Sequence, residues 1–291
     1  MISAPRGTRD ILPGEVEKWR YVEELAHRLC AEYGYSEIRT PLFEHTELFE
    51  RLGEATDTVR KEMYTFPDRG GRSLTLRPEG TAPVVRAFLE GGLKDGPLPQ
   101  KLYYLGPMFR YERPQSGRYR QHHQFGVEAL GSLNPALDAE VILLAVDFCS
   151  RLGLEVRVEI NSIGCPTCRP AYREALKGFL ADRVGGLCDD CRERYQRNVL
   201  RVLDCKVAAC QALVAGAPQA LDMLCPDCSS HFQELEGLLA DSGVPHCRNP
   251  RLVRGFDYYT KTVFEVAASG RGLEKALCGG GRYDGLASEL G

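Results

Sequence analysis

The sequence has 291 residues, 43% apolar and 26% charged, an ordinary globular balance that can fill a core. No stretch approaches the roughly 18 apolar residues that span a bilayer, and Met1 to Gly7 carries charge with no apolar run behind it, so the chain reads as cytoplasmic, without signal peptide or membrane contact. A formal net charge of −3 excludes a protein coated in basic surface, though not a local Lys/Arg cluster that meets phosphates.

In chain order, Val22, Leu25, Ala26 and Leu29 repeat at i, i+3, i+4 and i+7, which predicts an amphipathic helix over 15–33, ended by Gly34. Tyr35 to Thr40 reads as a strand stopped by Pro41, and Met63 to Arg77 as a hairpin turning at Asp68-Arg69-Gly70-Gly71. A longer hairpin follows, with arms Lys101–Glu112 and Gln121–Gly131 joined by a polar loop from Arg113 to Arg120. Asn134-Pro135 supplies a cap and a first-turn proline for a helix to about Leu152, after which Glu155–Ile160 alternates like a strand. From Gly164 to Cys247 the texture changes to short helices, and this stretch holds nine of the twelve cysteines. Strand-like sequence resumes at Leu252–Val266. The cysteine-rich middle therefore reads as an insertion, 164–247, within one catalytic domain whose two parts are 1–163 and 248–291.

Polar residues inside these strands carry the functional signal. Residues two apart on a strand share a face, so Arg110 and Glu112 point one way on the first arm, and Gln124 and Glu128 one way on the second. Phe109, Phe125 and Val127 suit an opposite, core-packed face. Ionised and amide groups in the middle of long strands lose solvation unless they meet partners. Two readings follow: a solvated face with cross-strand ion pairs, or a sheet floor that binds a polar substrate. The same pattern recurs at Glu79-Gly80-Thr81, where a strand ends in a Gly turn, and at Arg254, set among apolar neighbours ahead of Tyr258-Tyr259. Gly279-Gly280-Gly281 is a plain turn or a close backbone approach to a ligand.

The cysteines form three CxxC pairs: Cys165/Cys168, Cys188/Cys191 and Cys225/Cys228. In a reducing cytosol such pairs are buried thiols or metal ligands rather than disulfides. Nineteen residues separate the first two pairs, within the range of a four-cysteine zinc site, and Pro166 and Pro226 stiffen two of the turns. The third pair could equally close with the first, and Cys205 and Cys210 are candidate extra ligands. No CxxC sits at a strand-to-helix turn of a βαβ unit, which argues against thioredoxin-like chemistry.

Taken together, these strings resemble the histidyl-tRNA synthetases, class II aminoacyl-tRNA synthetases. Thr40-Pro41 with its preceding strand is similar to class II motif 1, and Phe109 to Arg113 through Gln124 to Glu128 resembles motif 2. Leu252 to Glu265 and Gly279 to Leu286 look like the two histidine-specific motifs, and Ala4 to Asp10 also fits. The resemblance implies an α+β fold: a class II antiparallel sheet flanked by helices, with a mostly helical cysteine-rich insertion. It implies activation of L-histidine with ATP and Mg2+, transfer to tRNA(His), and a homodimer through motif 1.

By that resemblance Glu79, Gln124 and Tyr258 hold the amino and carboxyl end of histidine, with Gly80 and Thr81 beside them. Glu128 and Tyr259 read the imidazole, whose two nitrogens suit a carboxylate and a hydroxyl. Arg110 contacts the ATP α-phosphate, Glu112 lies near the adenine, and Arg254 acts from the other side of the α-phosphate. Arg113, Arg118 and Arg120 order over ATP or meet the tRNA acceptor end, or belong to a solvated loop. The insertion leans over the acceptor stem, so a zinc there is a staple and not catalytic.

Members of that family continue into a third motif, whose arginine holds the ATP γ-phosphate, and then into an anticodon-binding domain. The sequence ends at Leu290-Gly291 with no arginine after Gly285. The expectation is a fragment with impaired ATP binding, reduced or no activity and no anticodon recognition. A rival is the synthetase-like regulatory subunit of ATP phosphoribosyltransferase, which shares the fold without aminoacylation. A third is a zinc-stapled RNA-binding module without catalysis. The combination of Glu79, Arg110, Gln124, Glu128, Arg254 and Tyr259 favours the enzyme, because a regulator has no need of the ATP-activating arginines.

Overall fold

A computed structural model describes residues 2–53, 58–114, 117–269 and 276–291. The chain divides into two compact units, Met1–Ser132 with Gly285–Gly291, and Leu133–Asp284. Both are mixed α and β, and antiparallel pairing dominates their sheets.

In the first unit, helix α1 (Val16–Glu32) buries Leu25, Ala26, Leu29 and Cys30, the stripe its spacing predicts. Gly34, at φ 77°, closes it. The strand predicted over 35–40 is shorter than expected: β1 is only Ser36–Glu37, lying parallel to a later strand. Pro41 has no N–H to donate, and the Thr40 carbonyl is taken by the Arg77 guanidinium at 3.0 Å, so the ladder cannot continue. Strand β2 (Phe43–His45) and helix α2 (Thr46–Glu50) follow. The predicted hairpin is β3 (Tyr64–Pro67) and β4 (Ser73–Leu76), its turn closed where Asp68 Oδ1 accepts from the Gly70 and Arg72 amides. Strand β4 lies between β2 and β3. Helix α3 (Thr81–Glu90) then leads to the long antiparallel pair β5 (Gln100–Phe109) and β6 (Gln121–Leu130), with β1 on the far edge of β5. Their register sets Leu102 opposite Glu128, Tyr104 opposite Gly126 and Gly106 opposite Gln124. A last short helix, Leu286–Leu290, returns to this unit and buries Leu286.

In the second unit, helix α4 (Pro135–Arg151) starts as predicted, with Asn134 Oδ1 accepting from the Ala136 amide at 2.8 Å. Strand β7 (Val156–Ser162) precedes four helices: α5 (Arg169–Leu180), α6 (Asp189–Arg197), α7 (Ala208–Leu213) and α8 (Pro226–Asp241). Three further strands, β8 (His246–Arg248), β9 (Thr260–Ala268) and β10 (Ala276–Arg282), complete a sheet of order β10-β9-β7-β8. Ile142 and Cys149 of α4 and Leu235 and Leu239 of α8 pack against Val158, Ile160 and Val266 of this sheet. A second core joins Tyr172, Leu176 and Leu180 to Cys191, Val199, Val202, Cys210 and Val214. Among the described residues no helix is long and apolar enough to cross a membrane.

Two expectations change here. The strand predicted over 252–266 begins only at Thr260. Before it the backbone is irregular, because the Asn161 amide group donates to the Leu252 and Pro250 carbonyls in place of a strand partner. Gly279–Gly281 is no turn but the middle of β10, paired with Glu265, Phe264 and Val263.

A buried ionic network ties the second unit together. Asp138 of α4 accepts from Arg282 Nη1 at 2.6 Å through one oxygen and lies 2.8 Å from His231 Nε2 of α8 through the other. Arg282 also donates to Asp284, whose other oxygen accepts from Thr260 Oγ1 at 3.2 Å. All three partners of the first link are nearly inaccessible, so deleting Asp138 takes from the buried Arg282 one of its two carboxylates and from His231 Nε2 its partner. Asp138→Ala is expected to reduce the unfolding free energy by about 3–5 kcal/mol. Glu47→Ala, which breaks the exposed Arg51–Glu47 pair, is expected to change it by less than about 1 kcal/mol. Chemical denaturation of both variants reads the difference.

Candidate active site

In the first unit the polar row of β6 is present, but its surroundings reverse one expectation. Glu128 is the buried residue, 5% exposed, while Phe125 and Val127, expected in the core, are half-buried. Their face carries the polar contacts of α1: His27 Nδ1 lies 2.8 Å from Tyr103 Oη, and Trp19 meets His123 edge-on. On the other face, Thr81 Oγ1 donates to Glu128 Oε1 at 2.9 Å, and Tyr104 Oη lies 3.4 Å from the same oxygen. Gln124 Nε2 donates to Tyr104 Oη at 3.4 Å. One hydroxyl network thus links Gln124, Tyr104, Glu128 and Thr81.

Tyr104 is a residue that motif reading missed. Its ring occupies the space that side chains at Gly80 and Gly126 would need: a Cβ at either would lie 2.2 or 2.3 Å from Tyr104 Cζ. The cross-strand partner of Gly126 is Tyr104 itself, so a glycine opposite an aromatic in a long hairpin was the available signal.

Glu79 lies just before α3 and caps it. Its two oxygens accept from the Thr81 amide at 2.7 Å and the Ala82 amide at 2.8 Å. Burial pushes its carboxyl above the ordinary range, opposed by those amides and by Arg110. A cation placed against this carboxylate recovers part of that desolvation.

Arg110 and Glu112 lie beyond the first arm, which ends at Phe109. The Arg110 amide makes one more bond, to the Arg120 carbonyl at 2.9 Å, and the Tyr111 amide then turns away to the Glu62 carbonyl. The Arg110 side chain donates through Nε to the Pro78 carbonyl at 2.8 Å, and its Nη1 lies 3.9 Å from Glu112. Arg118 Nη1 is 3.4 Å from the other Glu112 oxygen, and Arg120 stacks on Tyr111 at 3.8 Å. Arg113 is exposed. Gln115 and Ser116 of the predicted loop lie outside the described residues. His122 is a second missed residue: burial, then Arg110 and His123, pull its pKa down to about 4, so near pH 7 it is neutral beside Arg110.

In the second unit Arg254 is about one-fifth exposed, with Nη1 3.6 Å from Glu265 Oε2 of β9. Its backbone carbonyl accepts from Arg201 Nη1 at 3.1 Å. A Cβ at Gly279 would fall 2.7 Å from both terminal guanidinium nitrogens, so the glycine of β10 leaves room for this arginine. At Gly279 the backbone is approached closely by groups of this same chain, the Arg254 guanidinium and the Phe264 carbonyl. Tyr258 is buried against Phe256 and Tyr259 at ring separations of 5.1 and 4.7 Å. The Tyr259 carbonyl accepts from Arg169 Nη2 at 2.6 Å. The two units thus hold separate parts of the expected site: Glu79, Gly80, Thr81, Arg110, Glu112, Arg113, Gln124 and Glu128 in one, Arg254, Tyr258 and Tyr259 in the other.

Eight of the cysteines gather in two groups of four: Cys165, Cys168, Cys225 and Cys228, and Cys188, Cys191, Cys205 and Cys210. Within each group all four sulfur atoms lie within 4.8 Å of one another. Of the pairings that spacing left open, the first CxxC closes with the third, and the second closes with Cys205 and Cys210.

Comparison with known proteins gives a consistent result. The family model described as Histidyl-tRNA synthetase matches residues 7–167 and 189–291. A histidine–tRNA ligase of Desulfitobacterium hafniense is 59% identical over all of this chain, which spans 69% of that relative. The crystal structure of apo histidyl-tRNA synthetase from S. aureus superimposes with a TM-score of 0.78 at 42% identity, covering 100% of this chain and 68% of that one. A Bacillus halodurans structure described as an ATP phosphoribosyltransferase regulatory subunit/histidyl-tRNA synthetase gives 0.73 at 26% identity, covering 100% and 78%.

Proposed function

The chain belongs to the histidyl-tRNA synthetase family, and from that premise we propose that it carries the residues that select histidine and activate it with ATP. The carboxylate of histidine attacks the α-phosphorus of ATP, which enters with Mg2+ as substrate. The new bond is carboxylate oxygen to phosphorus, the α–β bridging bond breaks, and pyrophosphate leaves. The acyl group then passes to the acceptor end of tRNA(His), and AMP is released.

The observation that carries this reading is the buried carboxylate of Glu128, fixed by Thr81 and adjoining Tyr104. A carboxylate kept this dry gains most from a donor with positive or partly positive character, which an imidazole N–H supplies. Tyr259 reads the second ring nitrogen, and Glu79, Gln124 and Tyr258 receive the amino and carboxyl end. Arg110 and Arg254 take up charge on the α-phosphate, electrostatic and positional work suited to transfer at phosphorus. Glu112 and Arg113 serve the rest of ATP. Arg113, Arg118, Arg120 and the insertion 164–247 serve the acceptor stem. Thr40-Pro41 belongs to a dimer interface, which the exposed apolar Leu42 and Phe43 suit.

The regulatory-subunit reading gives Arg110 and Arg254 no task, and the greater identity to the ligases supports the enzyme. Pyrophosphate exchange into ATP tests the proposal, with calorimetric amino-acid binding alongside. Exchange and binding with histidine, and neither with lysine or asparagine, are expected. A chain that bound all three alike, or none, would not be a histidine-activating domain.

A further inference from the structure

We propose that the two cysteine groups are two separate zinc sites, each a tetrathiolate, and that together they fix the segment carrying Arg254 and Tyr259. A zinc–sulfur distance of about 2.3 Å sets the edge of an S4 tetrahedron near 3.8 Å. Cys165 Sγ lies 3.8 Å from both Cys168 Sγ and Cys225 Sγ, and Cys168 Sγ lies 3.9 Å from Cys228 Sγ. In the other group Cys188 Sγ lies 3.8 Å from Cys205 Sγ. A disulfide needs about 2.0 Å, and all these cysteines are free. Four sulfurs this close enclose one ion, with no room for an iron–sulfur cluster.

The backbone around each group suits thiolates. The Cys165 amide donates to Cys168 Sγ at 3.3 Å, the Cys188 amide to Cys210 Sγ at 3.2 Å, and the Val207 amide to Cys205 Sγ at 3.4 Å. Each CxxC also stands at the start of a helix: Cys168 before α5, Cys188 before α6 and Cys225 before α8. There the unpaired amides and the helix dipole favour negative charge. Gly164, at φ 71°, leaves room for Cys168 Sγ, which would lie 2.8 Å from a Cβ at that position.

The two sites flank one segment. Arg169 directly follows Cys168, and its guanidinium donates to the carbonyls of Ile163, Gly164 and Tyr259. The Lys261 amide donates to the Gly164 carbonyl, and the Ile163 amide to the Lys261 carbonyl, holding Lys261 at φ 47°, a conformation other residues than glycine rarely adopt. The first site is thereby braced to Tyr259. In the second group the chain between Cys191 and Cys205 contains Asn198 and Arg201. Asn198 donates to Asp257, and Arg201 to the Arg254 carbonyl. The second site is thereby braced to Arg254. The metals stand outside the chemistry, and their positioning role rests on the synthetase reading; their existence does not.

Elemental analysis of the chain, purified in reductant without added metal or chelator, tests this first. Two zinc ions per chain are expected, and one each in Cys228→Ser and Cys210→Ser. Replacement of zinc by Co2+ in the unsubstituted protein guards against variants that fail to fold: the thiolate-to-cobalt absorption should saturate at two equivalents. One ion or none per chain, iron in place of zinc, or disulfides found by mass spectrometry would each overturn the proposal. The bracing is read separately in pyrophosphate exchange. Cys228→Ser should raise KM for histidine on the order of tenfold with kcat little changed, while Cys210→Ser should act mainly on kcat. Unchanged kinetics in zinc-depleted variants would overturn the positioning role and leave the metal count standing. A chain without exchange activity is still judged by its metal content.

Discussion

Arg254→Ala is expected to slow histidine-dependent pyrophosphate exchange by about 10²–10³, while histidine binding stays within about twofold. The magnitude is that of removing one preorganised donor from charge that develops in the transition state, about 2.7–4 kcal/mol of barrier. Preorganisation is visible around this side chain. Glu265 lies 3.6 Å from Nη1, Arg201 holds the main-chain carbonyl, and Gly279 keeps clear the space that the guanidinium fills. The pair with Glu265 is long and partly exposed, so it orients the arginine without consuming its donors. Arg254→Lys should recover little, since an ammonium has no planar fork for two phosphate oxygens. Gly279→Ala should disturb both the guanidinium and the β9–β10 pairing, because the added methyl would lie 2.7 Å from the Arg254 terminal nitrogens and from the Phe264 carbonyl. Direct calorimetry with histidine separates the alternatives. Equal loss of binding and of exchange in Arg254→Ala would make this residue part of histidine recognition and would remove it from the chemical step.

The sequence shows clearly the features that depend on local pattern. The stripe of α1, the Asn134 cap, the turn at Asp68 and the register-bearing length of β5 and β6 all follow from spacing and turn chemistry. What stayed hidden depends on partners distant in sequence. Arg77 looks like a strand-end charge, yet it is buried and donates to the Pro107 carbonyl and to Thr40, which ends β1 early. The glycine run at 279–281 has turn composition but sits in a strand, because Arg254 and the Phe264 carbonyl crowd Gly279 and the Thr262 carbonyl crowds Gly281. Spacing suggested joining the first two CxxC pairs. The fold instead brings α8 beside the start of α5, and no count of intervening residues contains that information. Tyr104 and His122 were missed for a related reason: each matters through the glycine or arginine it faces, not through its own motif.

Glu128→Gln should weaken histidine binding by about 10–100-fold, the cost of roughly 1.5–3 kcal/mol for losing a charged hydrogen-bond partner. The substitution keeps the volume, and one amide oxygen can still accept from Thr81, so the network at the β6 floor remains largely connected. Only the charge goes, together with one acceptor position, which the amide replaces with a donor that an imidazole N–H cannot use. Stability should move the other way or not at all. A carboxylate 5% exposed loses solvation on folding, and a neutral amide loses less. Binding and stability therefore diverge if Glu128 is kept for histidine, and fall together if it is kept for the fold. Calorimetric titration with histidine, beside a denaturant melt of the same protein, decides between them. Tyr104→Phe provides the control on the same network: it removes one hydroxyl from between Gln124 and Glu128 and leaves the carboxylate in place. Its loss in affinity should be smaller than that of Glu128→Gln. A Tyr104→Phe defect as large as that of Glu128→Gln would mean that the hydroxyl network, rather than the carboxylate charge, selects the ligand.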